Sequence, residues 1–330
     1  MENREQLYPV PIVLFTYRRL DTVKMILDEI EKVKPSKFYV FSDGARAEKQ
    51  GEAEQVEKVR AYIKSRISWN CEFVAGFAEK NMGCANRITS GLDEVFSREE
   101  AALVFEDDAV PTQEYFSYCK ELLEKYRQDK RIQYIAGFNF IGDVDCIENS
   151  YTYSFFGGLS GAFATWADRW KECDFKMASW PQVKKEGALK KYFFQKELYK
   201  TYRNALEDSY KQINDGWDYQ FQYDGMWQGR LAVVPKGNLV ESYGYAAGAF
   251  HTQEEKTANR LKTRMEKTKK EFSFPMKHPK EVALDESYDK IRQRVSLEVS
   301  GGYMERHVRY AKVAIKDLIY PVYAKLFKKK

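Results

Sequence analysis

The sequence has few residues of the kind that build covalent or metal-thiolate frameworks. Its 330 residues include five cysteines, which are Cys71, Cys84, Cys119, Cys146 and Cys173. Their number is odd, their spacing is wide and none forms a Cys-x-x-Cys pair, which argues against a disulfide scaffold and against a zinc site. We therefore expect a reducing, cytoplasmic setting.

The sequence also lacks long apolar runs and low-complexity tracts. No stretch approaches the roughly 20 apolar residues that a membrane span needs, and the first ten residues lack the basic start and apolar run of a signal peptide. Hydrophobic residues make up 44% and charged residues 31%, a composition typical of folded rather than disordered chains. A chain of this length can form one large domain or two of moderate size.

An excess of positive charge is absent from most of the chain. The formal net charge is +5, but residues 304–330 hold eight Lys or Arg and two acids, so residues 1–303 are close to neutral. In this basic tail the charges alternate with apolar residues, a pattern typical of a helix that binds an anionic membrane surface. A helix docked on the core with a solvated lysine end fits the pattern equally well. Because the basic excess is confined to the tail, the sequence gives little support to nucleic-acid binding.

The first 140 residues alternate between short apolar runs and segments of helical periodicity. The predicted strands lie at 10–16, 37–44, 71–77 and 101–108. Amphipathic segments between and after them predict helices, with Asp21 and Thr112 as caps. Such alternation predicts an α/β fold with a Rossmann-like, mostly parallel sheet and helices on both faces. Ligands of such sheets bind beyond the carboxyl ends of the strands.

The alternation weakens after about residue 140. Segments 150–170 and 216–252 are rich in glycine and aromatic residues, and charged helical material separates them. Residues 253–272 are almost all charge and threonine, which predicts a solvated, mobile helix or loop before a last helical stretch. The fold class therefore includes a C-terminal helical extension.

Three consecutive carboxylates, Glu106, Asp107 and Asp108, follow the fourth predicted strand. Like charges at the ligand edge of a sheet repel unless a cation lies between them. Mg²⁺ and Mn²⁺ prefer carboxylate oxygens, and Mg²⁺ commonly uses one or two of them together with water and phosphate oxygens. The tripeptide therefore suggests a metal ion that bridges the protein to a diphosphate. A solvated acidic turn is the alternative.

The order of motifs along residues 9–253 resembles that of nucleotide-sugar glycosyltransferases of the GT-A fold. "FEDDAVP" resembles their acidic metal-binding motif, and "PIVLFTYRR" resembles the first strand with its nucleotide-contacting loop. "FSDGAR" resembles the second strand, and "EKNMGCANRITSGLDEVF" resembles the segment that leads into the helix before the metal motif. Each piece alone is weakly specific, whereas their combined order is highly specific.

Three later segments extend the resemblance. "GWDYQF" resembles the region of the catalytic acid residue, and "AFHT" resembles a late histidine that ligates metal in many relatives. "GAFATWADRW" resembles a Trp-rich bacterial segment, but Ala162 and Phe163 stand where Gly-Trp is usual, which leaves the subgroup open. The resemblance implies a GT-A domain at 1–253, with a nucleotide-binding half at 1–140 and an acceptor half at 141–253. Residues 254–330 form a mobile basic segment followed by an amphipathic helical region.

The resemblance also implies a set of metal ligands. Asp108, the last acid of the motif, is the strongest ligand for Mn²⁺ or Mg²⁺, and Asp107 is the next. Glu106 is expected to orient the ribose or the waters of the metal. His251 is the expected metal ligand from the later part of the sequence. Its alternative role is that of a surface or structural histidine.

The catalytic base should be a carboxylate near the acceptor hydroxyl. Asp218 is the expected base, and Trp217 before it offers a stacking plane for a sugar. Because Asp is also a common N-cap, a capping role is the alternative for Asp218. Asp215 and Asp224 are weaker choices for the base.

The expected nucleotide contacts follow the first two strands and the third helix. They are Thr16, Tyr17 and Arg18 after the first strand, Asp43 after the second, and Arg87 four residues after Gly83. Arg can pair with phosphate, although Arg18 and Arg19 also fit a solvated helix start. Gly157 and Gly158 would let the backbone approach the donor sugar or would form a turn.

The sequence therefore predicts a metal-dependent, inverting glycosyltransferase of bacterial surface polysaccharide or glycolipid synthesis. The donor is a nucleoside diphosphate sugar, with UDP-sugar expected first, and the acceptor is a glycan or a lipid-linked glycan. The basic tail would bring the enzyme to the inner membrane face. Two alternatives remain: a sugar-1-phosphate nucleotidyltransferase, which the absence of glycine from "TYRRLD" disfavours, and a non-catalytic sugar-nucleotide or glycan-binding module.

Overall fold

A computed structural model describes residues 7–142, 144–213, 216–244 and 259–300, apart from positions 261, 265, 267 and 269–271. The strands are β1 (Ile12–Thr16), β2 (Lys37–Ser42), β3 (Glu72–Phe77), β4 (Ala101–Glu106), β5 (Ala109–Pro111), β6 (Ile132–Phe138), β7 (Tyr151–Ser154), β8 (Gly158–Trp166), β9 (Leu231–Pro235) and β10 (Val240–Ser242). The α-helices are α1 (Leu20–Val33), α2 (Glu52–Arg66), α3 (Cys84–Arg98), α4 (Gln113–Lys125), α5 (Ala167–Lys171), α6 (Trp180–Glu186), α7 (Lys196–Tyr210), α8 (Asp218–Trp227) and α9 (Glu286–Val299). A short 3₁₀ helix spans Ala188–Tyr192.

Eight of these strands form one sheet in the order β3-β2-β1-β4-β8-β6-β9-β7. Strands β3, β2, β1 and β4 run parallel to one another. Strand β8 runs antiparallel to both β4 and β6, β9 is parallel to β6, and β7 is antiparallel to β9. This mixed α/β arrangement confirms the predicted Rossmann-like class with a mostly parallel sheet.

The side chains of β1 explain why helices cover both faces of the sheet. All five residues of β1 are buried, and successive side chains of a strand point to opposite faces. Ile12 and Leu14 belong to a core that includes residues of α1, α2 and α4. Val13 and Phe15 belong to a second core that includes residues of α3 and α8. A continuous apolar strand is therefore required here, as is typical of parallel sheets covered by helices.

The parallel strands end together in polar residues. Thr16 pairs with Ser42 at the ends of β1 and β2, and Phe15 pairs with Glu106 at the end of β4. Next to this edge, β5 pairs antiparallel with β10. The sheet order thus brings the segments after β1, β2 and β4 to one edge, which is the ligand edge expected from the sequence.

The two predicted helix caps differ from the structure. Helix α1 begins at Leu20 with Arg19 at its N-cap position, so Asp21 lies in the first turn and the prediction of an Asp21 cap is wrong. Thr112 occupies the N-cap position of α4, but its side chain makes no capping hydrogen bond. From the N-cap position of α1, the Arg19 side chain reaches the acidic motif.

Helix α9 is attached to the sheet by buried polar contacts. Its cap residue Asp285 accepts hydrogen bonds from the backbone N–H of Tyr288 (2.9 Å) and from the hydroxyl of Thr152 (2.8 Å). Asp289, which is fully buried, accepts from the Ser154 hydroxyl and from the Phe155 N–H (3.3 Å). The expected C-terminal helical extension is therefore present through residue 299. The domain boundary at 253 stays a prediction, and the basic tail at 304–330 lies outside the described residues.

None of the helices in the described ranges is both long enough and apolar enough to span a membrane.

The burial of Asp289 predicts how stability depends on pH. Burial raises the pKa of Asp289 to about 7, so the folded state favours the protonated carboxyl. The stability gained from protonation is complete below the unfolded pKa of about 4 and is lost as pH rises through about 7. We expect the wild-type free energy of unfolding to fall between pH 5 and pH 8 by on the order of 3 kcal/mol more than that of Asp289→Asn.

Chemical denaturation at both pH values measures this difference. Glu286→Gln is the control, since Glu286 lies in the first turn of the same helix and pairs with Lys290 at the surface. It should keep the wild-type pH dependence. Parallel curves for wild type and Asp289→Asn would contradict the prediction.

Candidate functional site

A cavity of about 220 Å³ lies at the carboxyl ends of β1, β2 and β4. Eight residues singled out from the sequence line it: Thr16, Tyr17, Arg18, Asp43, Arg87, Glu106, Asp107 and Asp108. A larger cleft of about 1330 Å³ opens at the opposite edge, beside Pro11, Ala101 and Trp166. None of the predicted site residues lines that cleft. Because parallel sheets bind ligands at their carboxyl edge, the smaller cavity is the candidate site.

Asp107 and Asp108 are held by the loop that follows β1. The Tyr17 N–H donates to Asp107 Oδ2 at 2.9 Å. Arg19 Nη1 donates to Asp108 Oδ2 at 2.7 Å and to Asp107 Oδ1 at 3.3 Å. The Thr22 hydroxyl donates to the Asp107 carbonyl oxygen. The loop after β1 therefore fixes both carboxylates, and Thr22 in the first turn of α1 fixes part of the backbone that carries them.

The later part of the chain completes the support of the acidic motif. The Gly161 N–H donates to Glu106 Oε1 at 3.0 Å, and the Tyr243 N–H donates to the Asp108 carbonyl oxygen at 2.7 Å. A Cβ at Gly244 would lie 2.7 Å from Asp108 Oδ2. Position 244 therefore needs a glycine if Asp108 is to keep this side-chain position.

The three carboxylates carry more negative charge than their surroundings neutralise. Burial in the cavity wall, followed by the charge of Asp108, raises the pKa of Glu106 to about 8. Burial raises the pKa of Asp107 to about 6, although Arg19 opposes this shift. One guanidinium is thus insufficient for the cluster, and an additional cation would be stabilised there.

The donor set fits an incompletely enclosed Mn²⁺ or Mg²⁺ ion. Within the described residues, no group of three or more His, Cys, Asp or Glu side chains forms a metal site. One oxygen of Asp107 and one of Asp108 contact the same cation, Arg19, so the two carboxylates suit an ion that completes its shell with water and phosphate. His251, the other expected ligand, lies outside the described residues.

Asp43 binds the loop that precedes α3. Its Oδ1 accepts from the N–H groups of Gly44 and Met82, both at 2.8 Å, and its Oδ2 accepts from Gly83 N–H (3.1 Å) and Asn81 Nδ2 (3.0 Å). Four donors occupy the two oxygens of a buried carboxylate. Asp43 therefore shapes this side of the cavity through the loop it binds.

Glu52 is a buried carboxylate that the sequence analysis missed. It accepts from Arg46 Nη2 at 2.6 Å and from the Tyr17 hydroxyl at 2.6 Å, and the Arg46 hydrogen bond is the main cause that lowers the pKa of Glu52 to about 2. Arg18 lies 3.5 Å from the same carboxylate. This cluster fixes Tyr17, whose hydroxyl is engaged with Glu52. In the sequence Glu52 looks like an ordinary acid in the first turn of a helix, so no signal marked it.

Two lining residues have polar atoms available for a ligand. Thr16 Oγ1 and Arg87 Nε are buried and have no hydrogen-bond partner within the described part of the chain. The Arg87 guanidinium lies 4.9 Å from the centre of the Phe41 ring, and burial lowers the pKa of Arg87. Buried polar groups without partners are costly in a folded protein. A ligand with anionic and hydrogen-bonding groups would satisfy both.

Arg19 is the second residue whose role the sequence did not reveal. The sequence favoured Arg18 as a nucleotide contact, but the structure places Arg18 beside Glu52 and Arg19 on the acidic motif. Adjacent arginines point in different directions because α1 begins at Leu20, directly after Arg19. Only the position of the helix start distinguishes them.

Asp218 lies at the first position of α8 and, like the rest of that helix, is not among the residues that line the cavity. Its charge contributes to the raised pKa of Glu106, and also to that of Tyr134. Trp217 is the N-cap residue of α8, so the predicted capping alternative for Asp218 is wrong. Asp224 accepts from the Asp174 N–H and from Gln228 and does not line the cavity. Asp215 lies outside the described residues.

The predicted sugar-stacking role of Trp217 is wrong, and core packing accounts for Gly157 and Gly158. Trp217 is buried and packs against Phe163 with ring centres 5.2 Å apart, so it offers no stacking plane. A Cβ at Gly157 would approach Ala232 Cβ to 2.6 Å, and one at Gly158 would approach Phe140 to 2.5 Å. These two positions require glycine because side chains of the core occupy the space that a Cβ would need.

No protein-family model matches the sequence, and no curated protein sequence matches it. Among solved structures, the chain is similar to the mannosyltransferase PcManGT from Pyrobaculum calidifontis in complex with GDP-Man and Mn²⁺, with 10% identity, a TM-score of 0.40 and coverage of 99% of this chain and 89% of that chain. It is similar to S. aureus TarS 1-349, with 11% identity, a TM-score of 0.40 and coverage of 78% and 70%. It is also similar to the inositol-1-phosphate CTP transferase from T. maritima, with 13% identity, a TM-score of 0.36 and coverage of 81% and 99%. Because these TM-scores are below 0.5, the fold and site are assigned from the strand order and contacts of the chain itself.

The position of Gly244 predicts a defect confined to the acidic motif. In Gly244→Ala the new methyl group would collide with Asp108 Oδ2, and the carboxylate can rotate away without disturbing the core. We expect Mn²⁺-dependent nucleotide affinity to fall roughly tenfold, the effect of losing one charge-assisted contact. Titration calorimetry measures this loss.

Gly229→Ala is the matched control for this substitution. Gly229 has a positive φ of 71°, and nothing lies within 4 Å of its Cβ position. The control should lose some stability and keep wild-type affinity. Equal affinities for Gly244→Ala and wild type would show that Asp108 does not need this space.

Proposed function

We propose that the protein is a metal-dependent glycosyltransferase that moves a sugar from a nucleoside diphosphate sugar to a glycan or lipid-linked acceptor. The observation that carries the proposal is the position of Glu106, Asp107 and Asp108. They end β4 at the carboxyl edge of the sheet and line one cavity with Thr16 and Arg87. A carboxylate cluster whose full charge one guanidinium does not neutralise suits a metal ion, and the buried polar atoms of Thr16 and Arg87 beside it suit a diphosphate.

Each part of the cavity has a defined task in this reaction. Asp108 and Asp107 would hold Mn²⁺ or Mg²⁺, which supplies Lewis-acid stabilisation of the departing diphosphate. The Arg87 guanidinium suits a phosphate oxygen, and the buried Thr16 hydroxyl suits an oxygen of the nucleotide. The loop held by Asp43 forms the opposite wall. These groups bind and orient the donor at the strand ends.

Asp218 is the proposed base. It lies close enough to Glu106 for their charges to interact, so an acceptor hydroxyl at this point would be next to the bound donor. Removal of the acceptor proton by Asp218 permits direct attack on the anomeric carbon, which inverts its configuration. The protonated Asp218 would then release its proton to solvent after the sugar has transferred.

UDP-sugar is the first donor to test, and a bacterial surface polysaccharide or glycolipid is the proposed product. A lipid-linked acceptor would place the enzyme at the inner membrane face, where the basic tail at 304–330 is proposed to bind. The rival nucleotidyltransferase activity would need backbone donors for a triphosphate after β1. In this chain the Tyr17 N–H donates to Asp107, and residues 16–21 include no glycine.

Metal-dependent nucleotide binding is the first expected result. Calorimetry with UDP, GDP, CDP and dTDP should show binding of one nucleotide in the presence of Mn²⁺ or Mg²⁺ and loss of that binding in EDTA. Asp108→Asn should weaken the binding at least tenfold because a charged ligand oxygen is lost. Asp21→Asn is the control, since its side chain is 98% exposed. If no nucleotide binds under any condition, the protein is a binding module of another kind.

The base assignment predicts a separate effect on turnover. Asp218→Asn should keep donor binding and lose roughly 100-fold or more in turnover, the usual scale for a general base. Nucleotide release in the presence of acceptor measures the rate. Asp224→Asn, six residues further along the same helix, should keep wild-type turnover because the Asp174 N–H and Gln228 engage the Asp224 carboxylate. An unchanged rate in Asp218→Asn would refute the assignment.

A further inference from the structure

Arg19 bridges the two aspartates that are the expected metal ligands. Its Nη1 contacts Asp108 Oδ2 at 2.7 Å and Asp107 Oδ1 at 3.3 Å. The remaining Asp107 oxygen is engaged by the Tyr17 N–H. A cation that bound the same two oxygens as the guanidinium would have to displace it.

The surroundings of Arg19 permit such a displacement. Its side chain is 30% exposed, and in the described residues its only ion-pair partners are the two aspartates. By contrast, Arg46 donates to a carboxylate that is 2% exposed, and this contact is part of the buried Glu52 cluster. Arg19 could therefore leave the acidic motif without breaking the core, and its flexible stem keeps the charge near the cavity.

We propose that Arg19 and the metal ion exchange places on Asp108, and that the displaced guanidinium then binds the diphosphate of the donor. This inference rests on the proposed function. Without metal, Arg19 keeps Asp107 and Asp108 together despite their repulsion. When the donor binds together with a metal ion, the metal would lie between the aspartates and the phosphates, and the Arg19 guanidinium would lie against the phosphates. Positive and negative groups would then alternate. The donor therefore gains a phosphate contact only when the metal has taken the carboxylates.

The chemistry of a guanidinium supports its proposed destination. Its planar fork of N–H groups matches a phosphate as well as a carboxylate. Arg19 and Arg87 line the same cavity, so a diphosphate between them would be contacted from two sides. Arg18 has no equivalent position, since it lies 3.5 Å from the buried Glu52 carboxylate.

The exchange predicts that one substitution has opposite effects on two ligands. Arg19→Met removes the competing cation, so the affinity for Mn²⁺ alone should rise roughly tenfold, because a unit charge within 4 Å is worth at least this much at a protein surface. The same substitution removes a phosphate contact, so the affinity for UDP in saturating Mn²⁺ should fall roughly tenfold. Electron paramagnetic resonance of free Mn²⁺ gives the first affinity, and calorimetry with UDP gives the second.

Lys24→Met is the control because it removes one positive charge from α1 at a residue that does not line the cavity. Lys24 pairs with the exposed Asp21, so the Mn²⁺ affinity of this variant should stay within about twofold of wild type. Circular dichroism of each variant verifies that it is folded. If Arg19→Met and Lys24→Met shift Mn²⁺ affinity equally, the effect is one of net charge and the exchange is refuted.

Further outcomes separate this inference from the proposed function. If wild type binds Mn²⁺ through Asp108, as judged by loss in Asp108→Asn, but Arg19→Met changes neither affinity, the exchange is wrong and the proposed metal site stands. If Arg19→Met weakens both ligands, Arg19 only positions the aspartates, and the exchange is again wrong. If neither wild type nor Arg19→Met binds Mn²⁺ with or without UDP, the metal site and the exchange are both wrong.

Discussion

The repulsion among three adjacent carboxylates is the constraint around which this end of the molecule is arranged. Glu106, Asp107 and Asp108 end a buried strand, where the surrounding protein screens charge poorly. Their stability requires donors from several parts of the chain. The loop after β1 supplies Arg19 and the Tyr17 N–H, and β8 supplies the Gly161 N–H. Elements far apart in sequence are thus held together by their shared contact with one acidic motif.

Backbone donors give the site its rigidity. An N–H group fixed in a strand or turn cannot rotate away as a long side chain can, so the carboxylates that accept from Tyr17 and Gly161 are oriented before any ligand arrives. Preorganised groups of this kind cost little to reorganise during a reaction. Arg19, whose side chain is partly exposed, contrasts with the fixed donors around it and is the group that the proposed exchange would move. The site combines carboxylate oxygens held by backbone N–H groups with a cation held by side-chain ion pairs.

The sheet and the lining of the cavity could largely be predicted from the sequence. Apolar runs such as that of β1 predict buried strands, and their alternation with helical segments predicts which strand ends meet. The carboxylates of the acidic motif were found because three acids after an apolar run are unusual. Glu52 was missed because its burial depends on Arg46 and Tyr17, which reach it only in the folded chain.

Two errors have a similar origin in tertiary packing. Trp217 resembles a sugar-stacking residue in the sequence, but Phe163 and its neighbours bury it in the core. Arg18 and Arg19 are indistinguishable in composition, and the position at which α1 begins decides which of them meets Asp108. Local patterns specify the elements, whereas the direction of a single side chain depends on where each element starts and what packs against it.

Under the proposed function, the saturated carboxylate of Asp43 bears on how a preference for one nucleobase would be altered. A side chain that already accepts four hydrogen bonds has little capacity to read a base without releasing the turn at residues 81–83. Redesign of base preference at Asp43 itself would therefore alter the loop before it altered selectivity. Substitutions in that turn, made with Asp43 intact, would reshape the wall while leaving its anchor in place. Base preference would then be set by the sequence of this turn. The acid that anchors the turn would stay the same in enzymes that use different nucleotides.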